Sequence, residues 1–99
     1  MPNFQLRFHS LAREELREAY QYYETQQVGL GDRFFEELDR IFDLIVDNPK
    51  LFAVDFEEIR KAPIQTFPFT IYYEAQDNDV FVYSVFHQGR EPGSWKGRT

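Results

Sequence analysis

Ninety-nine residues with 42% apolar and 18% aromatic side chains suit one globular domain spanning residues 1–99, in which every apolar cluster is needed for a small core. The absence of cysteine removes disulfides, thiolate zinc sites and cysteine nucleophiles together, and a formal net charge of −6 argues against non-specific nucleic-acid binding through counterion release. With no apolar run near 18 residues and no charged-then-apolar leader, the expectation is a cytoplasmic protein without a membrane partner.

Phe4, Leu6 and Phe8 alternate with Gln5 and Arg7, the period of two expected of a half-buried strand over residues 4–8. Ser10 is the expected cap of a helix running to about Thr25, with Ala12, Leu16, Ala19, Tyr20 and Tyr23 at spacings of three and four. Glu14 and Glu15 are read as favourable first-turn charges. His9 is read as a linker residue and the Tyr22–Tyr23 pair as helix packing.

Val28-Gly29-Leu30-Gly31 interrupts the first helical pattern, and a second helix follows. Its apolar stripe is Phe34, Phe35, Leu38, Ile41, Phe42, Ile45 and Val46, and Asn48-Pro49 ends it, because proline disfavours helical geometry in the residue before it. The two helices predict an antiparallel hairpin with one acidic outer surface. Residues 10–48 hold ten acidic and four basic side chains, read as a solvated face that suits a basic protein segment better than nucleic acid.

After Pro49 the chain reads as strands: residues 57–62, weakened by Pro63, then Phe67 to Ala75, then the nearly all-apolar run Val80 to Phe86, with Asp77-Asn78-Asp79 as the turn. The irregular tail from Gln88 is locally cationic, with Arg90, Lys96 and Arg98 against Glu91. The expected fold is α+β with the order β-α-α-β-β-β, a helical hairpin packed on one face of a small antiparallel sheet whose reverse face is left for a partner.

Four segments carry a resemblance along nearly the whole chain: Ala12 to Ala19 with Tyr22-Tyr23-Glu24; Gly29-Leu30-Gly31-Asp32-Arg33-Phe34 continued to Asn48-Pro49; Ile59-Arg60-Lys61 with Phe67 to Tyr73; and Val85-Phe86-His87-Gln88-Gly89-Arg90-Glu91-Pro92 with Trp95. In order and spacing they resemble the RelE/ParE superfamily of toxins, of the type labelled plasmid stabilisation protein, from type II toxin–antitoxin systems. The resemblance implies the β-α-α-β-β-β fold and a toxin silenced by a cognate antitoxin. It implies no cofactor. Within the superfamily, RelE-like members cut mRNA on the ribosome and ParE-like members inhibit DNA gyrase.

Metal-independent RNA cleavage needs a base, an acid and cations for the developing phosphorane charge. The candidates are His87, Arg90 and Tyr72 for catalysis, and Arg60, Lys61, Tyr83, Trp95, Lys96 and Arg98 for substrate or target binding. Alternation predicts that Tyr72 faces away from Phe69, Ile71 and Tyr73, that Tyr83 and His87 share one face, and that Arg60 and Lys61 point to opposite faces. His87 reads equally as a strand-end histidine held by a local hydrogen bond. Arg90 reads as a phosphate contact or as a guanidinium stacked on Trp95.

RelE-like ribonucleases tend to carry a basic cluster with an arginine in the strand matching Phe67 to Ala75; here that strand has no Arg or Lys, and Phe69 follows Pro68. The sequence therefore favours a ParE-like growth inhibitor that binds DNA gyrase. The alternatives are a metal-independent endoribonuclease meeting ribosome and mRNA, and a decayed toxin retaining only antitoxin binding. The oligomeric state, a homodimer included, stays open. No pair of carboxylates or histidine cluster has metal-ligand spacing.

Overall fold

The computed structural model describes residues 4–89 and 96–98. Strand β1 (Gln5–Phe8) leads into helices α1 (Ser10–Gln26) and α2 (Leu30–Asp47). Strands β2 (Val54–Phe56), β3 (Ile59–Pro63), β4 (Phe69–Gln76) and β5 (Asp79–His87) follow, with a short 3-10 turn at Lys96–Arg98. The five strands form one sheet in the order β1-β5-β4-β3-β2.

The sheet is mixed rather than antiparallel. From β2 to β5 each neighbouring pair is antiparallel, but β1 runs parallel to β5, with Gln5 opposite Asp79 and Phe8 opposite Val82. Alternation tells which side chains share a face and carries no information about strand direction. Direction follows from the connectivity: the helical hairpin carries the chain from β1 at one edge to β2 at the other, and three antiparallel steps then bring β5 beside β1 running the same way. Strand β2 is an addition to the sequence reading; it is three residues long, pairs irregularly with β3, and is too short to show a period of its own.

The helices start differently from expectation. His9, not Ser10, caps α1: its backbone is extended and its Nδ1 accepts the Leu11 N–H at 3.1 Å. Glu14 and Glu15 therefore lie beyond the first turn, which holds no acidic residue. Gly29 caps α2 with φ at 92°, in the left-handed region that favours glycine. The orphan N–H groups of that helix start go to a side chain of α1, since the Glu24 carboxylate accepts from Gly29 N at 3.1 Å and Gly31 N at 2.8 Å.

Gly31 answers to packing rather than dihedral freedom. A Cβ there would lie 2.8 Å from the Tyr20 carbonyl oxygen, so the two helices touch only because no side chain intervenes. In Gly31→Ala, overpacking of about 1 to 3 kcal/mol opposes a helix-propensity gain of about 1 kcal/mol. Because the obstructing atom is backbone, we expect a net loss of roughly 1 kcal/mol in urea unfolding; an unchanged or raised midpoint would contradict the close approach.

The core lies between the hairpin and one sheet face. Ala12 and Ala19 of α1 and Phe34, Leu38, Ile41, Phe42 and Ile45 of α2 meet Ala62, Ile71, Tyr73, Val80, Val82 and Val85. Phe35 and Val46, placed on the α2 stripe by spacing, are not in the core: Phe35 stays 38% exposed and stacks on Tyr20. Phe67 precedes β4, yet its ring is buried against Tyr23 and Phe34.

The reverse face is not left bare. Ile59 and Phe86 are buried there, flanked by Phe56, Tyr72 and Tyr83, and the Lys96 ammonium sits 4.3 Å from the Phe56 ring centroid. A small second cluster thus occupies part of the face that the sequence reading left to a partner. Aromatic residues at alternate strand positions bury area on whichever side they point, and here they point both ways.

Candidate functional site

The geometry of the last strand turns on one irregularity. Tyr72 pairs with Ser84 and Tyr73 pairs with Val82, so Tyr83 is an extra residue in β5. Such a bulge shifts the alternation by one residue from that point on. Tyr83 packs with Tyr72 and Phe86 on the reverse face, whereas Val85 joins the helix-side core and His87 lines a groove beside α1. The expectation that Tyr83 and His87 share a face fails for this reason.

His87 stands edge-on to Phe69 with ring centroids 5.1 Å apart, and its Nδ1 accepts the Gly89 N–H at 2.9 Å. The hydrogen bond assigns the lone pair to Nδ1 and closes the strand end locally. Tyr72 lies across the sheet from it, against Phe86 at 6.2 Å between ring centroids. The Tyr83 hydroxyl donates to Glu74 Oε1 at 3.1 Å, and burial, followed by that carboxylate, pushes the phenol pKa up. It is therefore held as a neutral donor.

The cations are engaged. Arg60 and Lys61 lie opposite Tyr73 and Tyr72 respectively, which sets them on different faces. Arg60 Nη1 donates to the Phe52 carbonyl at 2.8 Å, and Lys61 Nζ lies 3.6 Å from Asp55. Arg60 pairs with Tyr73 and His87 with Phe69, so the two lie four positions apart along β4, about 13 Å, and two strands apart across the sheet, about 10 Å. Lys96 rests over Phe56. Arg90 and Trp95 lie outside the described residues. Among those described, no acid, base and free cation converge on one point, and no group of three or more His, Cys, Asp or Glu side chains is placed to hold a metal ion.

Arg98, expected to meet a target, is instead part of an internal clasp. Its guanidinium holds both carboxylate oxygens of Glu15, at 2.9 and 3.0 Å, and also donates to the Tyr83 carbonyl at 2.9 Å. Glu15 Oε1 further accepts from the Ser84 hydroxyl at 3.0 Å and the Val85 N–H at 3.1 Å. One carboxylate thereby ties α1, the β5 bulge and the C-terminal turn together. Sequence reasoning placed Glu15 in a first helical turn. The missed signal was its spacing, three residues after Ala12 and four before Ala19, both buried, which sets Glu15 on the inward side of α1.

Tyr73 anchors the middle of β4: its ring is fully buried, and its hydroxyl donates to the Pro49 carbonyl at 2.7 Å, just past the end of α2. Burial pushes this phenol up to about 12, against the opposing influence of Arg60. Between pH 10 and 12 the unfolded chain binds fewer protons than the native one, so the contribution of Tyr73 is complete below pH 10 and fades as pH rises towards 12. We expect the urea midpoint to fall across that window and the fall to be shallower in Tyr73→Phe. Equal slopes in the two proteins would refute the assignment.

Beside α1 a groove of about 650 Å³ opens, with Ala19, Tyr23, Phe69 and Val85 below and Glu18 and Tyr22 at its rim. Phe69 and Val85 are nearly inaccessible, whereas Tyr22 is 59% exposed. No helix among the described residues is long and apolar enough to cross a membrane.

Comparison with known proteins gives the same architecture a family. A solved structure titled "Chromosomal ParDE TA system from P. aeruginosa" superposes with a TM-score of 0.74 at 10% sequence identity, covering 88% of this chain and 98% of that one. At that identity the likeness is one of fold, the two helices on a sheet described above. No curated protein sequence matches. The sequence model described as "ParE toxin of type II toxin-antitoxin system, parDE" matches residues 6–92, which take in both helices and all five strands except Gln5, and the chain therefore belongs to the ParE toxin family of type II toxin–antitoxin systems.

Proposed function

We propose that this toxin arrests growth by binding DNA gyrase in the cytoplasm, without hydrolytic chemistry of its own, and that a cognate antitoxin silences it. The observation that carries this reading is the division of the candidate groups: His87 faces the helix-side groove, Tyr72 and Tyr83 pack on the reverse face, and Arg60 and Arg98 are spent on internal partners. General acid–base catalysis needs its groups within hydrogen-bond reach of one substrate. Binding a protein needs only surface and complementarity.

Gyrase supercoiling measured with purified toxin tests the proposal. Inhibition at micromolar toxin, retained in His87→Ala, is expected; unimpaired supercoiling would refute it. Translation-linked cuts in mRNA that vanish with His87→Ala would identify a ribosome-dependent endonuclease. Induction without a growth defect, alongside antitoxin binding, would identify a decayed toxin. The antitoxin is sought in the adjacent reading frame, as a DNA-binding domain with a disordered tail.

A further inference from the structure

We propose that the shallow groove between α1, α2 and β1 is the contact surface of a homodimer, in which two copies of this chain meet about a two-fold axis. This contact involves neither the target nor the antitoxin of the reading above. The groove holds about 550 Å³ and is floored by Phe8, Leu16, Tyr20 and Phe35. Its rings are already paired within one chain, Tyr20 with Phe35 at 4.8 Å and Phe8 with Phe42 at 5.5 Å between centroids. Even so, none of the four floor side chains is fully covered, and Phe35 stays 38% exposed. Apolar area of this kind gains from a second covering layer.

The charges beside that floor select what covers it. Arg13 and Arg17 line the α1 side, and both are exposed. On α2, Asp39 and Asp43 follow Phe35 by four and eight positions, which sets them on the same flank of the helix, and both are exposed. Arg13, Asp39 and Asp43 make no ion pair among the described residues; Arg13 rests 6.0 Å from the centroid of the Phe8 ring. Tyr20 stands level with Phe35, so Arg13, seven residues back along α1, lies level with the stretch of the antiparallel α2 between Asp39 and Asp43. A cationic bank and an anionic bank thus run side by side with an apolar strip between them. A two-fold axis along the strip lays each bank on its opposite in the partner, an isologous contact. A basic segment would satisfy the aspartates and be repelled by the arginines, an acidic segment or a phosphate backbone would do the reverse, and a second copy satisfies both. The patch is small, which places the dimer at the weak end of the interface range.

Sedimentation equilibrium of the full chain tests this, with Arg13→Glu and with the double variant Asp39→Lys, Asp43→Lys. The unaltered chain is expected to dimerise at micromolar concentration. Each variant should dimerise about tenfold more weakly or worse, since each sets like charges against one another on both sides of the axis. An equimolar mixture of the two variants is expected to recover the association of the unaltered chain as a heterodimer, because the reversed banks then match, and recovery also shows that both chains are folded. A diffuse charge effect predicts a different pattern: from a net charge of −6, Arg13→Glu would weaken association and the aspartate variant would strengthen it. That pattern would overturn the paired banks. A monomer at every concentration up to the millimolar range, a dimer indifferent to both variants, or variants weakened singly without recovery in the mixture would each overturn the proposal.

Discussion

Glu15→Ala is expected to destabilise the protein by about 2 to 4 kcal/mol, a large fraction of a small domain's stability of about 5 to 15 kcal/mol. The substitution strips Arg98 of both its carboxylate contacts at 16% side-chain exposure, and leaves the Ser84 hydroxyl and Val85 N–H buried without their acceptor. Each orphaned donor costs about 1 to 3 kcal/mol, while the partly accessible guanidinium recovers some hydration. Arg98→Met should cost less, because Glu15 keeps two of its donors. Urea unfolding of both variants and of the double variant gives the coupling between the two side chains. A Glu15→Ala loss below about 1 kcal/mol would mean that the clasp contributes little to the fold.

Phe34→Ala should cost about 3 to 5 kcal/mol, the range for deleting a buried aromatic ring. The ring is inaccessible to solvent and lies 5.0 to 5.3 Å, centroid to centroid, from Phe69, Phe67 and Tyr23. It therefore joins both helices to the start of β4, so its loss opens a cavity bounded by three elements that cannot all close on it. Phe35→Ala, one residue away on the exposed flank, should cost markedly less. Comparable losses at the two positions, measured by urea unfolding, would contradict the orientation of α2 on the sheet.

That contrast shows how far helical periodicity reaches. Spacing reads the stripe from Phe34 to Val46 as inward and sets Glu36, Glu37, Asp39, Arg40 and Asp43 outside it, of which Glu37 is half-buried and the other four are exposed, but it cannot separate Phe34 from Phe35 at the edge of the stripe. The breadth of the apolar face depends on what packs against it, and Phe67, from beyond the helices in sequence, decides which ring is covered. Family membership was legible in the segment order for a similar reason. Gly29, Gly31 and Glu24 answer to one short-range geometry, the turn between two touching helices, and such constraints leave local marks.

The candidate site was less legible. Period-two alternation placed Tyr83 and His87 together, and one inserted residue in β5 parted them. Arg98 and Lys96 read as free cations because their partners, Glu15 and Phe56, lie 83 and 40 positions earlier in the chain. By itself the sequence determined the number and order of the long elements, the buried centre of the α2 stripe and the acidic character of the hairpin, all set by neighbours within a few residues. Only the tertiary structure decided the direction of β1, the side of the sheet to which His87 belongs and which charges were already spent, because each depends on contacts between segments far apart in the chain, where a single-residue shift in pairing changes every face that follows.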